Sequence, residues 1–126
     1  MKPYDHALRD CAAFGGVVDD YLAIHDWFDQ TKAFLPDMRH RAVLHNAWGI
    51  FLCEQVFGVV VKNADGKHIP VRTIAERHVL ADLKFIPTFE QCFGALPFHD
   101  WLTGKSEGFR DVVIDALKSK AGGGDA

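Results

Sequence analysis

DMRHRAVLHNAWGIFLCEQVFG, residues 37–58, is the stretch on which a reading of the fold turns. Asp37 directly follows Pro36 and is a good helix cap, while Gly58 supplies a stop, so the spacing predicts one helix from 37 to about 57. Its apolar residues, among them Leu44, Ala47, Ile50 and Val56, spread around the whole wheel. A helix that is apolar on several sides is packed on several sides, which makes this one central and puts Trp48, Phe51 and Leu52 in the core. The same helix opens with Arg39, His40 and Arg41 and carries His45 one turn deeper. Cationic and titratable groups at the mouth of a buried helix are costly without partners, so this end is expected to border a site for a small anionic ligand or a metal.

Working outward, residues 4–14 have helical character and stop at Gly15-Gly16, and Asp19 or Asp20 can cap a second helix reaching about residue 34. Residues 59–62 and 67–71 flank Asn63-Ala64-Asp65-Gly66, the pattern of a β-hairpin. Thr73 and Glu76 have capping-box spacing and open a helix to about 84, and Thr88 opens a shorter one. The expected fold is α+β, mostly α: a single globular domain over 1–104, built around one central apolar helix with one β-hairpin. Residues 105–126 are expected to form an amphipathic C-terminal helix, roughly 106–120, and a flexible glycine-rich tail.

A chain of 126 residues, 48% apolar and 12% aromatic, is long enough to bury its own core. A net charge of −3 offers no broad basic field, and nothing in it recommends a nucleic-acid partner. No apolar run approaches ~18 residues and the N-terminus lacks the apolar stretch of a signal peptide, which predicts a soluble cytoplasmic protein without membrane contact. Cys11, Cys53 and Cys92 are odd in number and widely spaced among apolar neighbours, as reduced core thiols are. Neither homo-oligomer nor monomer is favoured.

Candidate chemistry falls in three places. His25, Asp29 and Lys32 form one stripe on the second helix, where Asp29 can orient His25 and leave its other ring nitrogen free. Asp37, Arg41 and His45 repeat at helical spacing on the third; an arginine held by an acid on its own face presents its fork to phosphate or carboxylate. His78 and Asp82 are a His/carboxylate pair one turn apart, a spacing that can chelate a metal and is also common on solvated faces. His40 reads better as a hydrogen-bonded core histidine, pointing toward Leu44 and Phe51. HExxH, paired CxxC, GxSxG, P-loop and GxGxxG motifs are absent. His25-Asp26 has the letters of the metal-binding HD doublet of helical phosphohydrolases, but Asp26 faces away from the His25 stripe.

The motifs WFDQTK (27–32), RHRAVLH (39–45), GIFLCEQVFG (49–58), ERHVLADL (76–83) and IPT (86–88) resemble a family of small bacterial and phage proteins known as a domain of unknown function. The resemblance covers about residues 4–102 and implies kinship and a bacterial or prophage origin, without a reaction. Asn46 stands where many relatives carry a second histidine, which weakens a two-histidine metal clip there. The preferred reading is a ligand-binding module in which His25, Asp29, Lys32, Asp37, Arg41, His45 and Arg72 converge on an anionic small molecule such as a nucleotide, held by sequestration. The rival is a metal-dependent hydrolase whose divalent ion is held by His25, His45, His78 and an acid such as Glu54, Asp29 or Asp82. A third is a protein-interaction module with no small-molecule site.

Overall fold

The structure, a computed structural model, describes residues 1–105 and 114–119. The fold is α+β and mostly α, in the order α1 (Pro3–Phe14), α2 (Leu22–Phe28), α3 (Arg41–Leu44), α4 (Ala47–Phe57), β1 (Val60–Lys62), β2 (His68–Pro70), α5 (Val71–Leu83) and α6 (Phe89–Phe93). Among the described residues no helix is long and apolar enough to cross a membrane. The chain divides into two compact units, Met1–Ala95 and Leu96–Ala126. In the second, Asp100–Thr103 form a 3-10 turn closed at Gly104. The expected C-terminal helix and glycine tail lie largely outside the described residues, of which 114–119 are helical.

The second and third helices are shorter than their sequence pattern suggests. α2 ends at Phe28, and the chain goes on through a 3-10 turn at Gln30–Ala33. The expected long helix is broken in two at His45-Asn46, where φ/ψ of −80/59° and −153/176° leave helical space. Asn46 causes the break by serving both sides of it. Its Oδ1 accepts from the Gly49 N–H (2.8 Å), capping α4, while its Nδ2 donates to the Ala42 carbonyl (2.9 Å) at the end of α3. The corner is so tight that a Cβ on Gly49 would collide with the Leu44 carbonyl, so only glycine fits there.

α4 therefore buries one side only, through Gly49, Ile50 and Cys53. Contrary to the sequence expectation, Phe51 is 56% and Trp48 43% exposed, and Leu52 is half-buried. The core is supplied by Tyr21, Ile24 and Phe28 of α2 and its approach, Leu44, Ile50, Cys53, and Val71, Ile74 and Val79 of α5. α5 starts at Val71 behind Pro70, so Thr73 lies within the helix and is not its cap. The short helix does use the expected cap: Thr88 and Gln91 bond reciprocally across its first turn.

The hairpin is antiparallel, with Val61 opposite Ile69, and turns through Asn63–Gly66 with Gly66 at φ 81°. Asn63 anchors it. Its Oδ1 accepts from the Asp65 and Lys67 N–H groups, and its Nδ2 donates to the Phe14 carbonyl (3.1 Å) and the Tyr21 hydroxyl (3.2 Å). The Asp65 carboxylate accepts from the Gly16 N–H (2.9 Å), so the hairpin tip clasps the end of α1, where Gly15 and Gly16 at φ 79° and 76° make the turn.

Candidate metal centre

Beneath the core's polar side lie six buried groups, His6, Asp10, His25, Asp29, His45 and His78, with Asp82 joining them from α5. They come from α1, from α2 and the residue after it, from the end of α3 and from α5. The break at His45-Asn46 turns His45 inward from the end of α3, where the ring is fully buried. His78 and Asp82 stand one turn apart on α5, and Asp29 follows α2 directly.

Four of these groups close on one point. His45 Nε2 lies 3.1 Å from His78 Nε2, 3.0 Å from Asp82 Oδ2 and 3.5 Å from Asp29 Oδ1; His78 Nε2 lies 3.3 Å from Asp82 Oδ2 and 3.6 Å from Asp29 Oδ1. A tetrahedral ion with bonds of ~2.0–2.2 Å to nitrogen and oxygen has ligand–ligand edges of about 3.3–3.5 Å. The five distances bracket that value. The four residues could hold a metal ion. Two imidazoles and two carboxylates suit zinc or manganese, and their charge of −2 with neutral rings matches a divalent cation.

The proton arrangement favours the same conclusion. A carboxylate only accepts, so His25 Nε2, 2.5 Å from Asp10 Oδ2, carries a hydrogen and donates it. Neutral His25 then accepts at Nδ1, and His78 Nδ1–H, 2.8 Å away, donates to it. His78 Nε2 then faces two carboxylate oxygens, which either a proton on that nitrogen or a cation between them would satisfy. Arg77 Nε donates to Asp10 Oδ1 (3.1 Å), which completes a chain Arg77–Asp10–His25–His78 of the kind that fixes the tautomer of a metal-bound histidine. Asp82 is oriented by His6, whose Nε2 is 3.2 Å from Oδ1.

Burial alone would lower the pKa of His78, but its bonds to Asp29 and Asp82 outweigh this and raise it. Burial would raise both acids, yet His78 with Lys32 and His45 holds Asp29 below the usual carboxylate range, and His45, His6 and His78 hold Asp82 far below it. Burial keeps His45 and His25 below the ordinary imidazole value, only partly offset by Asp82 and Asp10 respectively. Both rings stay neutral, as ligation requires.

A second trio, His6, His25 and His78, also brings ring nitrogens close together. Its His25–His78 separation of 2.8 Å is that of a hydrogen bond and shorter than a metal-site edge, so His25 is better placed as the partner that orients His78. A cavity of about 300 Å³ opens on this side, between Arg9, Arg77 and Lys84. Another, of about 280 Å³, opens on the carboxylate side, against Asp29 and Asp82, with Lys32, His40 and Arg41 in its wall.

Sequence reasoning brings together some of these residues and misassigns others. Asp29, Lys32 and Arg41 share the carboxylate-side cavity, and His45 lies beneath it. His25 opens instead on the other cavity, with Asp10 and not Asp29 as the acid on its ring. Asp37 binds Arg39 (2.9 Å) and caps a 3-10 turn, while the acid near Arg41 is Asp82 at 3.9 Å. Arg72 is exposed and bonded to Glu76, and with Glu54 it lines a separate cavity, so neither reaches the cluster. Asp26 of the HD doublet is exposed. His40 is buried, and its Nδ1 donates to the Asp37 carbonyl (2.7 Å), which leaves the Nε2 lone pair 3.7 Å from Asp29 Oδ1. His6 and Asp10 were missed, although their spacing on α1 repeats that of His78 and Asp82 on α5.

No curated protein and no solved structure matches the chain. Residues 1–102 match a family described as a domain of unknown function (DUF6915), and the chain belongs to that family.

Proposed function

We propose that this chain is a metal-binding domain whose ion, held by Asp29, His45, His78 and Asp82, forms a hydrolytic centre for a small anionic molecule. The near-tetrahedral spacing of four buried donor atoms carries the reading. A divalent ion held by these four side chains would have to take a fifth ligand to act on a substrate, and there it would supply a Lewis acid and lower the pKa of a bound water. The protein contributes the rest: Asp10 and His25 hold His78 in its ligating tautomer, His6 holds Asp82, and the cavity over the carboxylates gives a path to the ion.

Metal analysis of the purified protein after dialysis tests the proposal. The expected result is about one equivalent of Zn, Mn or Ni in the wild type and its loss in His78→Gln and Asp82→Asn. A wild type that takes up no ion from an excess of these metals, or variants that retain it, would count against the centre. A second reading, capture of an anion without chemistry, is supported by Arg41, whose buried Nε has no hydrogen-bond partner among the described residues. Hydrolysis of an activated ester by the loaded protein, lost in Asp82→Asn, separates the two.

A further inference from the structure

We infer that the cavity over Asp29 and Asp82 is a phosphoryl subsite, built to hold the terminal phosphate of a phosphomonoester between the ion, Arg41 and Lys32. The inference rests on the metal-centre reading and adds the substrate class. Asp29 Oδ1 and Asp82 Oδ2 face the centre; the second Asp82 oxygen lies 3.2 Å from His6 Nε2, and the second Asp29 oxygen is buried without a hydrogen bond among the described residues. Arg41 Nη2 stands 3.9 Å from the second oxygen of Asp82, and Lys32 Nζ stands 3.5 Å from the second oxygen of Asp29. Both cations line the cavity that leads to the two carboxylates.

Arg41 is not fully used by the protein. The Arg41–Asp82 separation is too long for a hydrogen bond, and Arg41 Nε is buried without a partner among the described residues. An orphaned guanidinium donor beside a cavity costs free energy until an acceptor arrives. Ion, guanidinium and the Lys32 ammonium make three points of attraction, and the Met1 ammonium, 3.6 Å from the same Asp82 oxygen, adds a fourth in the same wall. A carboxylate has two oxygens to offer them, whereas a phosphomonoester has three non-bridging oxygens. A phosphodiester has two. The cavity, about 280 Å³, has room for a phosphoryl group whose alcohol portion projects outward. Asp5 at the wall adds one negative charge and Lys2 offsets it.

Hydrolysis there balances simply. Water oxygen bonds to phosphorus, the ester P–O bond breaks with its electron pair leaving on the alcohol oxygen, and the proton lost by water ends on that alcohol. The products are inorganic phosphate and the free alcohol.

The test uses the full chain loaded with Mn²⁺ and follows the ³¹P resonance of inorganic phosphate, whose line broadens when phosphorus sits beside the paramagnetic ion. The expected result is broadening beyond that given by free Mn²⁺, reversed by phenyl phosphate but not by diphenyl phosphate or acetate. Arg41→Gln and Lys32→Gln should each weaken phosphate binding by at least tenfold, with Mn²⁺ affinity unchanged within threefold. Phosphate binding equal to wild type in both variants, or displacement by acetate as effective as by phenyl phosphate, would overturn the subsite while leaving the metal centre standing. Failure of the wild type to take up Mn²⁺, Zn²⁺ or Ni²⁺ would overturn both. Phosphate bound as expected without turnover of phenyl phosphate supports the subsite and counts against the hydrolase.

Discussion

Asp82→Asn is the substitution that separates a metal centre from a merely polar core. The side chain keeps its shape, so packing is undisturbed, but one oxygen becomes an NH₂ that cannot accept. In the wild type the carboxylate faces the Nε2 atoms of His6, His45 and His78 at 3.2, 3.0 and 3.3 Å. In the presence of a chelator the variant loses the charge-assisted part of this network, about 2 kcal/mol. At ~4–8 °C per kcal/mol for a domain of this size, the melting temperature falls by about 8–16 °C. Zn²⁺ at a hundredfold excess over its Kd stabilises the wild type by ~2.7 kcal/mol, or about 10–20 °C, and leaves the variant unchanged. Circular-dichroism melts with EDTA and with Zn²⁺ give all four values. If the wild type gains nothing from any divalent ion while the variant still melts lower, the cluster is a hydrogen-bonded network and the centre is refuted. If the variant gains as much from Zn²⁺ as the wild type, Asp82 is not a ligand.

Because His78 is raised above the ordinary imidazole value, metal loading near pH 7 should displace its proton. Calorimetric titration in buffers of different ionisation enthalpy should show net proton release on Zn²⁺ binding, and a buffer-independent heat would refute the assignment. The pH profile of the metal-free protein follows from the same shifts. The contribution of His78 is fully present below about pH 6.5 and is lost as pH rises through its folded value, whereas His25 and His45, lowered by burial, leave the unfolded chain binding more protons below about pH 6.5. Stability should therefore peak near neutrality and fall on both sides, and a monotonic rise from pH 5 to 9 in chelator would contradict the shifts. Phe51→Ala should cost about 0.5 kcal/mol or less, because the ring is exposed, while Phe28→Ala in the core should cost ~3–5 kcal/mol in urea melts. Comparable losses would place α4 at the centre after all.

What was legible in the sequence was local. The hairpin follows from the Asn63–Gly66 turn, and the short helix at Phe89 from the reciprocal bonds of Thr88 and Gln91, because partner and partner lie within four residues. The broken helix was hidden by its own greasiness. Apolar residues on every side of 42–57 satisfy a helical pattern whether or not Asn46 interrupts it, and the signals of a break, a capping asparagine with glycine three residues on, are weak against that background. Of the centre, Asp29, His45, His78 and Asp82 stand out as histidines and acids at helical spacing. Their pairing did not, since His25 finds Asp10 and His6 finds Asp82 across the fold, where spacing carries no information. On an amphipathic helix such as α1, His6 and Asp10 look like part of a solvated face, and only the packing of α2 and α5 against it buries them.

The clasp between the hairpin tip and α1 reaches further than the turn it closes. α1 carries His6 near its start and Asp10 past its middle, and its end is gripped at Phe14 and Gly16 by Asn63 and Asp65. At 1.5 Å per residue the grip lies about 13 Å from His6, a length over which a helix behaves as a rod. Sliding that rod by a fraction of an ångström moves both of its buried groups together, and with them the aim of Asp82 and His78. The four-residue turn thus fixes, through α1, one end of the element that carries two members of the buried cluster.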